Sequence, residues 1–153
     1  MNKLISFVKQ FTKKEVKELN SVEKIGRKYF YMSEELKKAK DSIPMEPYAA
    51  GLPIGELVKN DFKPSIALID IISKYTDRKI FINKKGETMF LYKRSVFGEN
   101  FVKDMPGEEK GICIVLNENE EVLGYGEVNR GNIQTILKAM LDRGDFLRRE
   151  REK

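Results

Sequence analysis

Apolar positions along this chain change rhythm several times, and each change predicts an element. Thr12-Lys13-Lys14-Glu15 has capping-box spacing, and Val16, Leu19 and Val22 follow at helical intervals, which predicts a helix over about 13–24, ended by Gly26. Lys28-Tyr29-Phe30-Tyr31-Met32 is aromatic and β-prone, the composition of a strand. Ser33 then offers an N-cap to Glu34-Glu35-Leu36-Lys37-Lys38-Ala39, whose acids suit a first helical turn, and Pro44 closes that helix. Prolines and glycines between Met45 and Gly55 predict a specialised connection with some extended structure. Ile66, Leu68, Ile69, Ile71 and Ile72 form a dense apolar stretch ending at Lys74, expected to be a buried helix.

Asp77-Arg78 marks the expected domain boundary, dividing the chain into residues 1–76 and 77–153. Beyond it, Lys79-Ile80-Phe81-Ile82 reads as a strand, Lys84-Lys85-Gly86 as a turn, Phe90 to Gly98 as a compact element and Phe101-Val102 as a short strand. Gly111 to Leu116 is an apolar run, followed by an acidic turn over Asn117 to Glu121 and a second β-prone run, Val122 to Val128, the pattern of a hairpin. The glycines of Leu123-Gly124-Tyr125-Gly126 suggest a bulge or a close backbone approach. Ile133, Ile136, Leu137, Met140 and Leu141 recur at i, i+3, i+4, i+7 and i+8, which predicts a terminal helix packed on the sheet, with Lys138 on its polar side.

Composition limits what this chain can be. With 153 residues, 41% hydrophobic and 35% charged, it can bury a core beneath a dense ionic surface, which argues against disorder. The one cysteine, Cys113, lies within an apolar run, where a small core residue and a reducing intracellular compartment are expected. No apolar stretch reaches the roughly 20 residues that span a bilayer, and the first residues lack a signal-peptide core, so a cytoplasmic protein without a membrane partner is expected.

The net charge of +5 is unevenly spread: residues 1–28 hold 8 Lys and Arg against 3 Asp and Glu, while residues 77–153 hold 15 against 14. In that last segment the acids gather at Glu118 to Glu121, whereas Arg143, Arg148, Arg149 and Arg151 crowd the end and make a basic pole. Such a pole attracts polyanions, and a merely solvated helical face is the alternative.

Without a histidine, the usual base for activating Ser or Cys is missing. His/Cys zinc spacing, a Walker lysine loop and a dinucleotide fingerprint are also absent from the sequence. Asp70, Glu46 and Glu56 are carboxylates whose spacing demands no convergence. No catalytic residue, metal site or cofactor is therefore expected. RNA binding needs less, since cations neutralise phosphates and aromatics or backbone receive unpaired bases. The expected basic track comprises Lys93 and Arg94 beside Tyr92, Arg130 before the last helix, Lys138 on its polar side, and Arg143, Arg148 and Arg149 beyond it. Phe90 and Tyr92 are themselves expected in the core.

The Gly111 to Arg149 segment resembles a PUA domain, the RNA-binding module named after pseudouridine synthase and archaeosine transglycosylase. Met45 to Gly55, Phe90-Leu91-Tyr92 and Arg143-Gly144-Asp145-Phe146-Leu147-Arg148-Arg149 also look like landmarks of archaeal Nip-seven proteins, in the same order. That resemblance implies an α/β (α+β) protein with a small N-terminal α/β domain and a C-terminal PUA-like β-barrel domain carrying the terminal helix. It further implies a non-enzymatic RNA-binding factor in large ribosomal subunit biogenesis and rRNA processing, with ribosomal RNA and proteins of pre-ribosomal or RNA-processing complexes as partners. The alternative is a protein-binding adaptor of an RNA-processing complex such as the exosome, using the Pro47–Gly55 region. Gln134 and Thr135 stand where the family tends to carry arginines, which shifts the expected RNA face toward Arg143 and Arg148.

Overall fold

The computed structural model describes residues 2–32, 38 and 51–144, which divide into two compact units meeting at Tyr75–Thr76. In the N-terminal unit, helix α1 (Asn2–Lys9) buries Leu4 and Val8, four residues apart on one face. A four-stranded antiparallel sheet follows, in the order β1 (Val22–Ile25), β2 (Lys28–Tyr31), β3 (Leu52–Val58) and β4 (Asp61–Pro64). Phe7 of α1 lies 5.4 Å from the Phe62 ring, and Tyr29 meets Phe62 edge-on at 5.5 Å, so aromatic contacts join the helix to the sheet. Helix α2 (Ile66–Ile72) buries Leu68, Ile69, Ile71 and Ile72, as its apolar density led us to expect.

The helix expected over 13–24 does not form. Thr12 Oγ1 accepts from the Lys14 amide at 3.0 Å and so makes a local turn, Lys17–Ser21 is a single 3-10 turn, and Val22 already belongs to β1. Gly26, at φ +64°, belongs to the turn that lets Ile25 pair with Lys28. Val22-Glu23-Lys24-Ile25 gains a ladder with β2 that a helix would forfeit, and this tertiary pairing overrides the weak helical spacing. The helix expected from Glu34 and most of the Met45–Gly55 connection lie outside the described residues, although Leu52–Val58 is a strand, with a register shift against β2 at Ile54.

The C-terminal unit is a nearly closed, barrel-like sheet of six strands in the order β6-β10-β9-β8-β5-β7. These are β5 (Lys79–Ile82), β6 (Val96–Phe97), β7 (Phe101–Lys103), β8 (Gly111–Leu116), β9 (Val122–Arg130) and β10 (Thr135–Asp142). Among the described residues only β5 and β8 pair in parallel, and helix α3 (Lys84–Leu91) supplies the fully buried Phe90 to a core that includes Ile80, Ile82, Val96, Cys113 and Leu137. Lys84-Lys85-Gly86, expected as a turn, is instead the first turn of α3, because Asn83 Oδ1 accepts from the Gly86 amide at 2.8 Å and caps it. Glycine is tolerated within that helix because a Cβ there would stand only 3.1 Å from Ile82 Cβ and 3.2 Å from Asn100 Cβ.

A larger correction concerns residues 133–141, expected to be the terminal helix. Thr135–Asp142 is a strand paired antiparallel with β9, from Thr135 opposite Arg130 to Asp142 opposite Gly124, with a bulge between Ala139 and Leu141. The four residues from Gly131 to Gln134 connect the strands, and the Gly131 amide donates to the Gln134 carbonyl at 3.1 Å. The bulge lets the apolar residues mimic a helical period, yet Ile133 is fully exposed and Met140 about half exposed, so no continuous apolar helical face exists. The glycine pair explains the closeness of this pairing: a Cβ on Gly124 would lie 1.9 Å from the Leu141 carbonyl oxygen, and one on Gly126 2.5 Å from that of Lys138. The expected close backbone approach is thus present, made by β10.

Candidate nucleic-acid interface

The end of α3 sets the first basic position. Tyr92 follows the helix, and Lys93 adopts φ +58°, so the chain turns sharply before β6 while the Arg94 amide donates to the Met89 carbonyl at 2.8 Å. That turn leaves Tyr92, Lys93 and Arg94 exposed, and neither basic side chain has an ion-pair partner among the described residues. Phe90 is buried as expected, whereas Tyr92 is 45% exposed. The two aromatics part because Phe90 lies within α3 and joins the core, whereas Tyr92 follows the helix as its C-cap. Thr88, Met89, Tyr92 and Arg94 line a recess of about 270 Å³.

Arg130 has a different setting. Its Nη1 and Nη2 donate to Asp104 Oδ2 and Oδ1 at 2.8 and 2.6 Å, and its Nε donates to the Glu109 carbonyl at 2.7 Å. This bidentate pair leaves the arginine side chain only 12% exposed. Arg78 holds the same segment as well, donating from Nε to the Ile112 carbonyl at 2.9 Å and from Nη2 to that of Lys110 at 2.6 Å, with a close ion pair to Glu109. Together the two guanidiniums clasp the 104–112 segment to the sheet. Sequence reasoning missed Asp104 as the partner of Arg130, since 26 residues separate them and no local pattern joins them.

Lys138 is exposed on β10, directly across from Glu127, so its charge stands beside an opposite one on the outer face of the sheet. Arg143 follows β10 and donates from Nε to the Val122 carbonyl at 2.6 Å while remaining exposed. Arg148 and Arg149 lie outside the described residues. The structure therefore brings Lys93, Arg94 and Tyr92 together at one turn, commits Arg130 to an internal clasp, and sets Lys138 and Arg143 on and after β10.

Other chemistry is sparse. Burial pushes the Cys113 thiol up to about 12, with Arg78 and Arg130 partly opposing the rise and Asp104 adding to it, which removes it as a nucleophile. Among the described residues no group of three His, Cys, Asp or Glu side chains is placed to hold a metal ion. No helix among them is long and apolar enough to cross a membrane.

The C-terminal unit is thus a barrel-like sheet with one helix between β5 and β6. Residues 78–151 match the family described as the UPF0113 PUA domain. Similarity extends beyond the domain. The chain is 29% identical over 126 residues to a UPF0113 protein of Aeropyrum pernix, covering 80% of this chain and 70% of that relative. It is 25% identical over 115 residues to a UPF0113 protein of Archaeoglobus fulgidus, covering 70% of this chain and 66% of the other. A fission yeast protein of Schizosaccharomyces pombe, named 60S ribosome subunit biogenesis protein nip7, is 27% identical over 133 residues, or 79% of this chain and 73% of its own length. The resemblance to Nip-seven proteins read from the sequence is borne out.

Proposed function

We propose that this chain is a non-enzymatic RNA-binding factor of large ribosomal subunit biogenesis, acting on ribosomal RNA through its PUA domain. The observation that carries this reading is the turn between α3 and β6, where an exposed tyrosine stands with two cations that have no ion-pair partner among the described residues, in a chain similar to proteins named for 60S subunit biogenesis. Lys93 and Arg94 make the main phosphate contacts, with Lys138, Arg143, Arg148 and Arg149 extending the basic surface. Arg130, held by Asp104, supports the fold and is not a contact in this proposal. A buried thiol of high pKa and the lack of histidine support action by occupancy rather than by turnover.

Titrating the full chain with large-subunit rRNA fragments over a range of salt tests this reading. Affinity should fall steeply as salt rises, because each neutralised phosphate releases counterions. The RNA should also emerge uncut and unmodified after incubation with Mg²⁺, ATP and a methyl donor. No binding at low salt, or protein-dependent turnover, would overturn the proposal.

A further inference from the structure

We infer that the recess beside Tyr92 is a seat for one unpaired nucleobase, so that the RNA recognised at this turn is single-stranded rather than duplex. This rests on the RNA-binding reading above and gives it a strand preference and a specific residue. Among the described residues of the C-terminal unit, Tyr92 is one of the few large side chains with an apolar body left exposed, at 45%. It forms one wall of a recess of about 270 Å³, with Thr88, Met89 and Arg94 as the others. That volume is below the roughly 300–1,000 Å³ of pockets that take whole drug-sized ligands, and suits a single planar ring system.

Each wall offers something a base can use. The phenol ring gives a face for stacking, the thioether of Met89 is a soft contact for an aromatic edge, and Arg94 brings a planar cation. Thr88 lies at the rim, its hydroxyl donating to the Lys84 carbonyl at 3.2 Å while keeping lone pairs to accept. No carboxylate stands among the described residues lining the recess, and Lys93, next in the chain, supplies positive charge for the phosphate that accompanies the base. A duplex hides its base faces within the stack and could use only the cations. An unpaired nucleotide uses ring and cations together.

The experiment measures binding of the full chain to an unstructured RNA oligonucleotide and to a duplex of equal length, for the native protein and for Tyr92→Ala, Tyr92→Phe and Arg94→Ala. A 2-aminopurine placed along the single strand reports stacking by fluorescence quenching. The single strand should bind more tightly than the duplex, and Tyr92→Ala should weaken it about tenfold, the loss of one base–aromatic stack, and relieve the quenching. Duplex affinity should not change with Tyr92→Ala, and Tyr92→Phe should retain both affinity and quenching. Equal affinity of native protein and Tyr92→Ala for the single strand, with binding otherwise intact, overturns the base seat and leaves the RNA-binding reading standing. Loss of all RNA binding by the native protein at low salt overturns both. Thermal melts of the variants check that each is folded, and a Tyr92→Ala protein that melts early leaves Tyr92→Phe and the quenching of native protein to decide.

Discussion

Arg130 and Arg94 belong to the same unit and carry the same charge, but the fold uses them in opposite ways. Arg130 is gripped by Asp104 and the Glu109 carbonyl at 2.6–2.8 Å and is nearly buried, whereas Arg94 stands exposed after a turn made by positive-φ Lys93. The difference comes from their partners. A carboxylate brought close by the sheet turns a basic residue into a structural strap, and its absence leaves the charge for an external anion. Counting cations therefore overstates a nucleic-acid surface, and the useful question is which of them the fold has already spent.

The strongest way to break the comparison is to damage the frame on which both regions rest. Gly124→Ala places a Cβ where the Leu141 carbonyl oxygen lies 1.9 Å away, and neither backbone can yield without losing the β9–β10 ladder. The expected cost is on the order of 4 kcal/mol or more, the size reserved for strain of this kind. Chemical denaturation should show it as a lowered midpoint with loss of both regions together. A Gly124→Ala protein of native stability would mean that β9 and β10 are not packed this closely.

Arg130→Ala tests the strap itself. Removing the guanidinium leaves Asp104 without its bidentate partner and the Glu109 carbonyl without a donor, which should cost about 1–3 kcal/mol. RNA affinity of the folded variant should stay within about twofold of the native protein. A stable Arg130→Ala protein that has lost RNA binding would reverse the roles given to the two arginines.

What the sequence disclosed follows the same division between local and distant causes. The β8–β9 hairpin and the strands at Lys28 and Lys79 were legible because alternation, aromatic content and flanking turn residues are local signals. The strand at Thr135–Asp142 was hidden because its bulge shifts the apolar register, so that Leu137 and Leu141 fall at a helical interval although only Leu137 is fully buried. Gly131 and Asn132, just ahead of it, belong to the connection that joins the strands as a hairpin. Lys93 and Arg94 could be picked out by charge, but the exposure of Tyr92 depends on α3 ending one residue before it, and the capture of Arg130 depends on Asp104, 26 residues away. Neither fact is written in a local pattern.

The stability effect at the exposed turn should be much smaller, with the change appearing in binding. Lys93→Ala with Arg94→Ala removes two surface charges that have no ion-pair partner among the described residues, so stability should move by no more than about 0.5 kcal/mol per site. Because the native backbone at Lys93 has φ +58°, Lys93→Gln is the control that removes charge while keeping a side chain there. If both residues contact phosphate, the slope of log affinity against log salt should fall by roughly 2. A slope unchanged in both variants would remove this turn from the electrostatic contact surface.

The smallest effect separates the two regions without any RNA. Cys113 is buried beside the clasp, and its thiol is pushed up to about 12 mainly by burial, with Arg78, Asp104 and Arg130 as lesser influences. A group whose folded pKa is raised above its unfolded value favours folding below the unfolded pKa. That contribution should therefore be lost progressively as pH rises from about 9 toward 12, because the unfolded chain releases the proton first. At neutral pH the native thiol should label with a maleimide only through opening of the sheet, far more slowly than in denaturant. Arg130→Ala should speed that labelling by loosening the 104–112 segment over Cys113, while Lys93→Ala with Arg94→Ala should leave it unchanged. Equal labelling rates in the two variants would mean that the clasp does not guard this end of the sheet, and the contrast between the two arginines would then rest on binding alone.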